Sequence, residues 1–577
     1  MARLVSIIIP VLLLAACACG RGESTESGPP GGLLEGIRDR GGRVLAQDAY
    51  GDSATNLVYL DQGWGPAETL WFYHADQGSV LMPYDTLIHL EQVDREAPLM
   101  SAEHLTKFRF LNQHPTPNNP DGLPIGFARH KDQVGLTCAA CHTTQVNYQG
   151  TAIRIDGGPA LADVPGFLRE LEAALAATLA DEAKLTRFAA ARKGGGAGET
   201  AKAAARASVE ETLAWFRSYN AVNHGTTTEG FGRMDAIGRI INQAIRFTSD
   251  AKNAHEPNAP ASFPLLWDAP RHDYVQWIGF AGNSGAGSLG RNAGEVIGVF
   301  GKIDVVHYET EKEARRGYKS TIDSSALVSM EESLRKLQSP VWPEQVLPAI
   351  DGQLAARGAQ LYQEQCASCH AVIDRDDPER RVTAMITGVD VVGTDPGSAT
   401  FLAEARVPSG VLAGAISPKG ERYGAEMTAL SLLGDLVART LATNPVAAAR
   451  AIVNAKRHKL EETPKQGDYP RDDKDPAASL RAYKARPLNG IWAAAPYLHN
   501  GSVPTLHDLL LPVDQRPRKF AVGRWEYDPK KVGYVSDGEV PFVVDTAVVG
   551  NSNRGHEYGV TLAEADRWAL VEYLKTL

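Results

Sequence analysis

Cysteine is scarce in this chain, and its scarcity is informative. The 577 residues hold six cysteines: Cys17, Cys19, Cys138, Cys141, Cys366 and Cys369. Four of them fall in two short runs and the other two lie near the N-terminus, so no pair is left over for a structural disulfide. Basic charge is also short. The formal net charge is −10, which argues against nucleic acid as a partner. Beyond the N-terminus no apolar run is long enough to span a bilayer. Strand signals are few and short. With 55 glycines and proline in clusters such as Pro340-Val341-Trp342-Pro343, the chain reads as helices joined by long loops. The expected fold class is mainly α.

The runs that use up the cysteines are Cys138-Ala139-Ala140-Cys141-His142 and Cys366-Ala367-Ser368-Cys369-His370. Each is C-x-x-C-H, the attachment signature of a c-type haem. Two thiols one turn apart can add to the two haem vinyl groups, and the adjoining histidine then ligates the iron. The bland alternative is one zinc held by four thiolates. It needs no histidine after each pair, and the pairs lie far apart in the chain. Two covalent haem c groups are therefore expected, on His142 and His370.

The N-terminus reads as an export leader. Arg3 precedes an apolar stretch over residues 4–14, too short for a stable span. It ends in Leu14-Ala15-Ala16-Cys17, which resembles a bacterial lipobox and implies a lipid on Cys17. An ordinary cleaved leader is the alternative. Residues 20–39 then form a flexible tether. The expected location is periplasmic or outer-membrane-anchored, touching the membrane only through the lipid.

The length suggests two or three domains. Prolines near 335–350 divide residues 40–340 from residues 345–577. After the first motif, Asp163 can cap a helix with Pro165 in its first turn, running through alanine-rich sequence to about Arg192. Gly194-Gly195-Gly196 breaks it, and a second helix covers about residues 200–219. Gly290-Arg291-Asn292-Ala293-Gly294-Glu295 lacks the strand-turn-helix setting of a nucleotide loop and is not read as one. Gly358, Leu361 and Tyr362 place a helix directly before Cys366. Thr561-Leu562-Ala563-Glu564 has the pattern of a capping box opening a final helix.

The stretch Tyr483-Lys484-Ala485-Arg486-Pro487-Leu488-Asn489-Gly490-Ile491-Trp492, continuing to His499-Asn500-Gly501-Ser502-Val503-Pro504-Thr505-Leu506, resembles the signature of bacterial dihaem cytochrome c peroxidases and MauG-type proteins. The block with Gln77-Gly78-Ser79, Pro83-Tyr84-Asp85 and Gly135-Leu136-Thr137 is more similar to the rubber-oxygenase (RoxA-like) branch. The resemblance implies two cytochrome c-like haem domains with loop-rich insertions, one haem reacting and the other relaying electrons from a small redox protein. It also allows for calcium between the domains, although no acidic cluster demands it. Where typical peroxidases place a methionine ligand, around Pro512-Val513, this sequence has none.

Distal groups are weighed residue by residue. His556, in a glycine-flanked loop before the last helix, is the expected second ligand of the His370 haem, with His499 as the alternative and Met427 behind it. The His142 haem is expected to be open. His224, His272 and His307 are each read as ordinary polar residues. Glu295 is the candidate acid-base group, and Phe263, Trp267, Tyr274, Trp277 and Arg291 are candidate pocket residues. The expected activity is reduction of hydrogen peroxide. A haem-dependent dioxygenase and a pure electron carrier are the alternatives, and pure transfer needs less protein than this.

Overall fold

The computed structural model describes residues 33–196, 198–472, 475, 477–538 and 542–577. The leader, Cys17 and the first part of the tether lie outside the described residues. The mainly α expectation is overturned. The described chain is 38% helix and 15% strand, with 17 helices and many small sheets, a mixed fold without a clear class. The strands escaped notice because they run only two to six residues, too short to establish a period of two.

The clearest departure surrounds the first thiol motif, which sits between strands rather than after a helix. Asn56–Tyr59 pairs in parallel with Thr151–Asp156, which pairs antiparallel with Thr143–Tyr148. Gln133–Leu136 bridges Met82–Pro83 and Phe127–His130. Cys138–Ala140 forms a single tight turn linking these two small sheets. Gly126 passes so close that a Cβ there would lie 2.2 Å from the Ala140 nitrogen, and its φ of +91° is in glycine's range.

The second motif follows the expected pattern. Helix Gly352–Gln365 leads into Cys366 and packs against the terminal helix Glu564–Lys575. Gly358 is the crossing point: a Cβ there would sit 2.0 Å from the Ala569 carbonyl oxygen. Tyr362 and Tyr573 rings meet at 5.2 Å beside it. The capping box does not form. Thr561 lies in a turn closed by the Leu562 amide on the Gly559 carbonyl, and Ala563 is the N-cap, so Glu564 is already inside the helix.

The alanine-rich segment is likewise two helices, Val164–Ala180 and Glu182–Lys193. Asp181 separates them, its carboxylate accepting from the amides of Ala183 and Lys184. Asp163 caps the first as expected, and Gly194 ends the second in the left-handed conformation. The following helix spans Glu199–Val222. The glycine-rich run falls in helix Gly287–Gly298. One apolar core holds Trp64, Phe72 and Tyr73 from early in the chain with Trp492, Tyr527 and Leu570 from late in it. Cys138 and Cys366 both pack against this core.

Candidate haem sites

At the first motif, the His142 amide donates to the Cys138 carbonyl at 3.0 Å, folding both thiols and the imidazole onto one turn. Thr137 fixes that turn. Its hydroxyl accepts from the Ala139 amide and donates to the Tyr73 carbonyl. The block noted in the sequence wraps it: the Cys138 thiol faces Gln77 Oε1 at 3.5 Å, and the Ser79 hydroxyl accepts from the Leu136 amide at 3.0 Å. Burial pushes the Cys138 thiol up to about 11, opposed by the Gln77 hydrogen bond and reinforced by the Glu295 charge. Burial lowers His142 to about 4. Among the described residues the ring in contact with His142 is that of Phe263, edge-on at 6.3 Å.

Arg291 and Glu295 stand one turn apart on Gly287–Gly298, within electrostatic reach of Cys138. Arg291 donates to Glu331 at 2.8 Å. Glu295 accepts a hydrogen bond from the Gln276 side chain. Burial raises the Glu295 carboxyl above its usual range, opposed by Arg291 and by Gln276.

At the second motif, the His370 amide donates to the Cys366 carbonyl at 2.9 Å, and the Tyr362 hydroxyl to the His370 carbonyl at 2.7 Å. His370 Nδ1 lies 2.7 Å from the Arg486 carbonyl. A carbonyl only accepts, so Nδ1 carries the proton and Nε2 is left as a free donor atom. This is the second-shell arrangement typical of metal-bound histidine. The His556 ring stands 6.1 Å from the His370 ring, tilted by 56°. The His556 backbone is left-handed at φ 49°, and its amide donates to the Val392 carbonyl at 2.8 Å. Its Nδ1 is buried without a partner, and burial, with the nearby His370, drops it to about 3.

The remaining sequence candidates scatter. His499 stacks on Tyr483 at 4.0 Å, and burial lowers it to about 3. Met427 is buried in the strand pair Arg406–Pro408 with Glu426–Thr428. His224 and His307 are exposed, His307 against the Val411 carbonyl. His272 is buried with neither ring nitrogen partnered. Trp267 donates to the Asn489 carbonyl at 2.8 Å, Trp277 to the Ser262 carbonyl at 2.7 Å, and the Tyr274 hydroxyl to the Thr463 carbonyl at 2.7 Å. Gln276 and Gln77 were not singled out for chemistry, because a lone glutamine carries no motif. Among the described residues no group of three His, Cys, Asp or Glu converges as a metal site, and no helix is long and apolar enough to cross a membrane.

Two thiol pairs, each folded onto one turn with its histidine, fit covalently attached haem and define a c-type, haem-binding protein. A RoxA-like, cytochrome c-like family model matches residues 482–521, the segment whose Arg486 carbonyl holds His370. The match speaks for haem c and for a haem-dependent oxidoreductase, and it supports the RoxA-like side of the resemblance rather than the peroxidase and MauG side. The chain is 34% identical over 594 aligned residues to the uncharacterized protein y4iJ of Sinorhizobium fredii (strain NBRC 101917 / NGR234), covering 90% of this chain and 93% of that protein. It belongs to the same family as y4iJ. The uncharacterized protein y4iM of the same strain is 39% identical over 121 residues, 17% of this chain and 28% of y4iM.

Proposed function

We propose that the protein is an exported dihaem oxidoreductase, its two haem domains divided near residues 340–345. It reduces hydrogen peroxide at the His142 site with electrons relayed through the His370 site from a small redox protein. The observation that carries this reading is the asymmetry of the two sites. The rings of His370 and His556 stand 6.1 Å apart, so both imidazoles would be placed to hold the iron of one haem. Among the described residues His142 has no such facing imidazole; Glu295 instead stands within electrostatic reach of Cys141, the residue before it.

Haem c, when bound, supplies an iron that changes charge by one electron and, with one face open, takes a small oxidant. The protein's part is to hold and move a proton. Glu295, whose carboxyl burial raises above its usual range, would donate a proton to the oxygen that departs as water, while two relayed electrons and a further proton from solvent convert the other oxygen to a second water. Gln276 orients that carboxyl by donating to Oε1. His370, fixed by the Arg486 carbonyl, and His556 hold the relay site in one geometry, which limits reorganisation on electron transfer.

A second reading, a haem-dependent dioxygenase, is favoured by the RoxA-like match. Stopped-flow mixing separates the two. Peroxide that perturbs one Soret component and turns over with a reduced small cytochrome supports the peroxidase. A stable complex on reduction under dioxygen, with cleavage of an isoprenoid, supports the oxygenase. Two inert spectra would leave a pure electron carrier.

A further inference from the structure

Near both thiol motifs lies a group of basic side chains to which the proposed chemistry gives no role. Arg486 donates from Nη1 to the Leu265 carbonyl at 3.1 Å and from Nη2 to the Trp267 carbonyl at 3.0 Å, while its Nε is buried and unpartnered. Among the described residues the Lys484 ammonium, on the strand Ala482–Ala485 that runs into Arg486, makes no hydrogen bond or ion pair. Arg291 has its Nη2 on Glu331, and its Nε is buried and unpartnered. His272 is 1% exposed with both ring nitrogens unpartnered. These four belong to one neighbourhood: His272 senses the charges of Lys484, Arg486 and Arg291, and Lys484 senses those of both arginines.

The acids that face the group have other partners. Glu331 accepts from Arg291 and Asn292 through Oε2 while its Oε1 is unpartnered, and Glu295, one turn along from Arg291, accepts from Gln276. Asp273, which faces Lys484, accepts from the amides of Tyr274 and Ala384. Asp268, which faces Arg486, is held by Arg380 at 2.6 Å. Cations and a histidine enclosed with unpaired nitrogen atoms are costly to the fold, several kcal/mol per ion, unless an anion completes them. Lys484 and Arg486 keep accessible surface although they lie deep in the chain. The cluster also reaches both motifs. The Arg486 backbone carbonyl holds His370, and Arg291 stands within electrostatic reach of Cys138.

We propose that Lys484, Arg486, Arg291 and His272 form an anion site that holds propionate carboxylates of the two haems. This rests on the reading of both thiol motifs as haem attachment sites. An arginine fork with a spare N–H and an ammonium free to aim suit a carboxylate carried on a ring edge. A diffusible dicarboxylate shares that chemistry, and the test separates the two.

The experiment uses full-length holoprotein, with haems counted by pyridine haemochrome and both midpoint potentials read by spectroelectrochemical titration, with and without added malonate. The variants are Lys484→Gln, Lys484→Arg and His272→Gln. Removing a positive charge beside a haem carboxylate disfavours the reduced state. Lys484→Gln is therefore expected to move at least one midpoint to a more negative value with two haems still bound, and Lys484→Arg to restore it. Malonate should leave the wild type unmoved. Unchanged potentials in both glutamine variants would overturn the site, and so would malonate-dependent potentials in the wild type that Lys484→Gln abolishes. If Lys484→Gln does not take up haem, the His272→Gln potentials decide. A wild type with fewer than two haems would instead overturn the dihaem reading itself.

Discussion

Replacing Glu295 by Gln tests the proposed proton donor most sharply. The substitution keeps size and leaves a partner for Gln276, yet it removes the transferable proton. A positioned general acid contributes about 10²–10⁴-fold, so the Soret change driven by peroxide should slow by that factor, about 3–5 kcal/mol of barrier. The pH dependence has a definite sign. Burial raises the Glu295 carboxyl above its usual range, so the protonated form persists further up in pH. The wild-type rate should fall as pH rises through that raised value, and Glu295→Gln should lose this limb. Stability provides the control. A carboxyl raised on folding binds its proton more tightly in the folded state, so its stabilising contribution is present below the unfolded value and lost as pH rises through the folded one. The Gln variant should therefore melt no lower than wild type at neutral pH, and the difference should shrink in acid. Stopped-flow absorption across pH, with melting curves alongside, checks both. An unchanged rate and an unchanged pH profile would refute Glu295 as the donor.

Other outcomes are equally specific. His556→Ala should turn one haem from low-spin to high-spin in absorption and EPR; an unaltered low-spin signal would pass the ligand role to His499 or Met427. Gly358→Ala places a methyl against the Ala569 carbonyl and should cost about 1–3 kcal/mol, read as a lower melting temperature. Arg439→Ala leaves Asp435 buried beneath the Tyr318 and Tyr423 hydroxyls and should cost about 3–5 kcal/mol; a variant as stable as wild type would show that this network is dispensable.

The legibility of this chain in its sequence divides at the two motifs. Around Cys366 the local signals agree with the fold: helical spacing of Gly358, Leu361 and Tyr362, an amphipathic final helix, and a glycine where the two helices touch. Around Cys138 they did not. The sheets there are built from short segments whose length carries no period: the hairpin of Phe127–His130 with Gln133–Leu136 is extended by Met82–Pro83, which comes from far earlier in the chain. Asp181 shows a subtler limit. It sits in alanine-rich sequence that favours one long helix, and only its carboxylate, accepting from two following amides, reveals the break. The chemistry was visible as motifs but not as geometry. Arg486 stood within the quoted signature, yet the carbonyl that orients His370 belongs to its backbone, which no side-chain pattern can announce.

The central claim is two haems of unlike coordination, and one measurement reaches it most directly: a haemochrome count with absorption and EPR spectra of the purified ferric protein. The account predicts two covalent haems per chain, one high-spin on His142 and one low-spin between His370 and His556. A single haem, a stoichiometric zinc signal, or two low-spin irons that ignore both peroxide and dioxygen would contradict it.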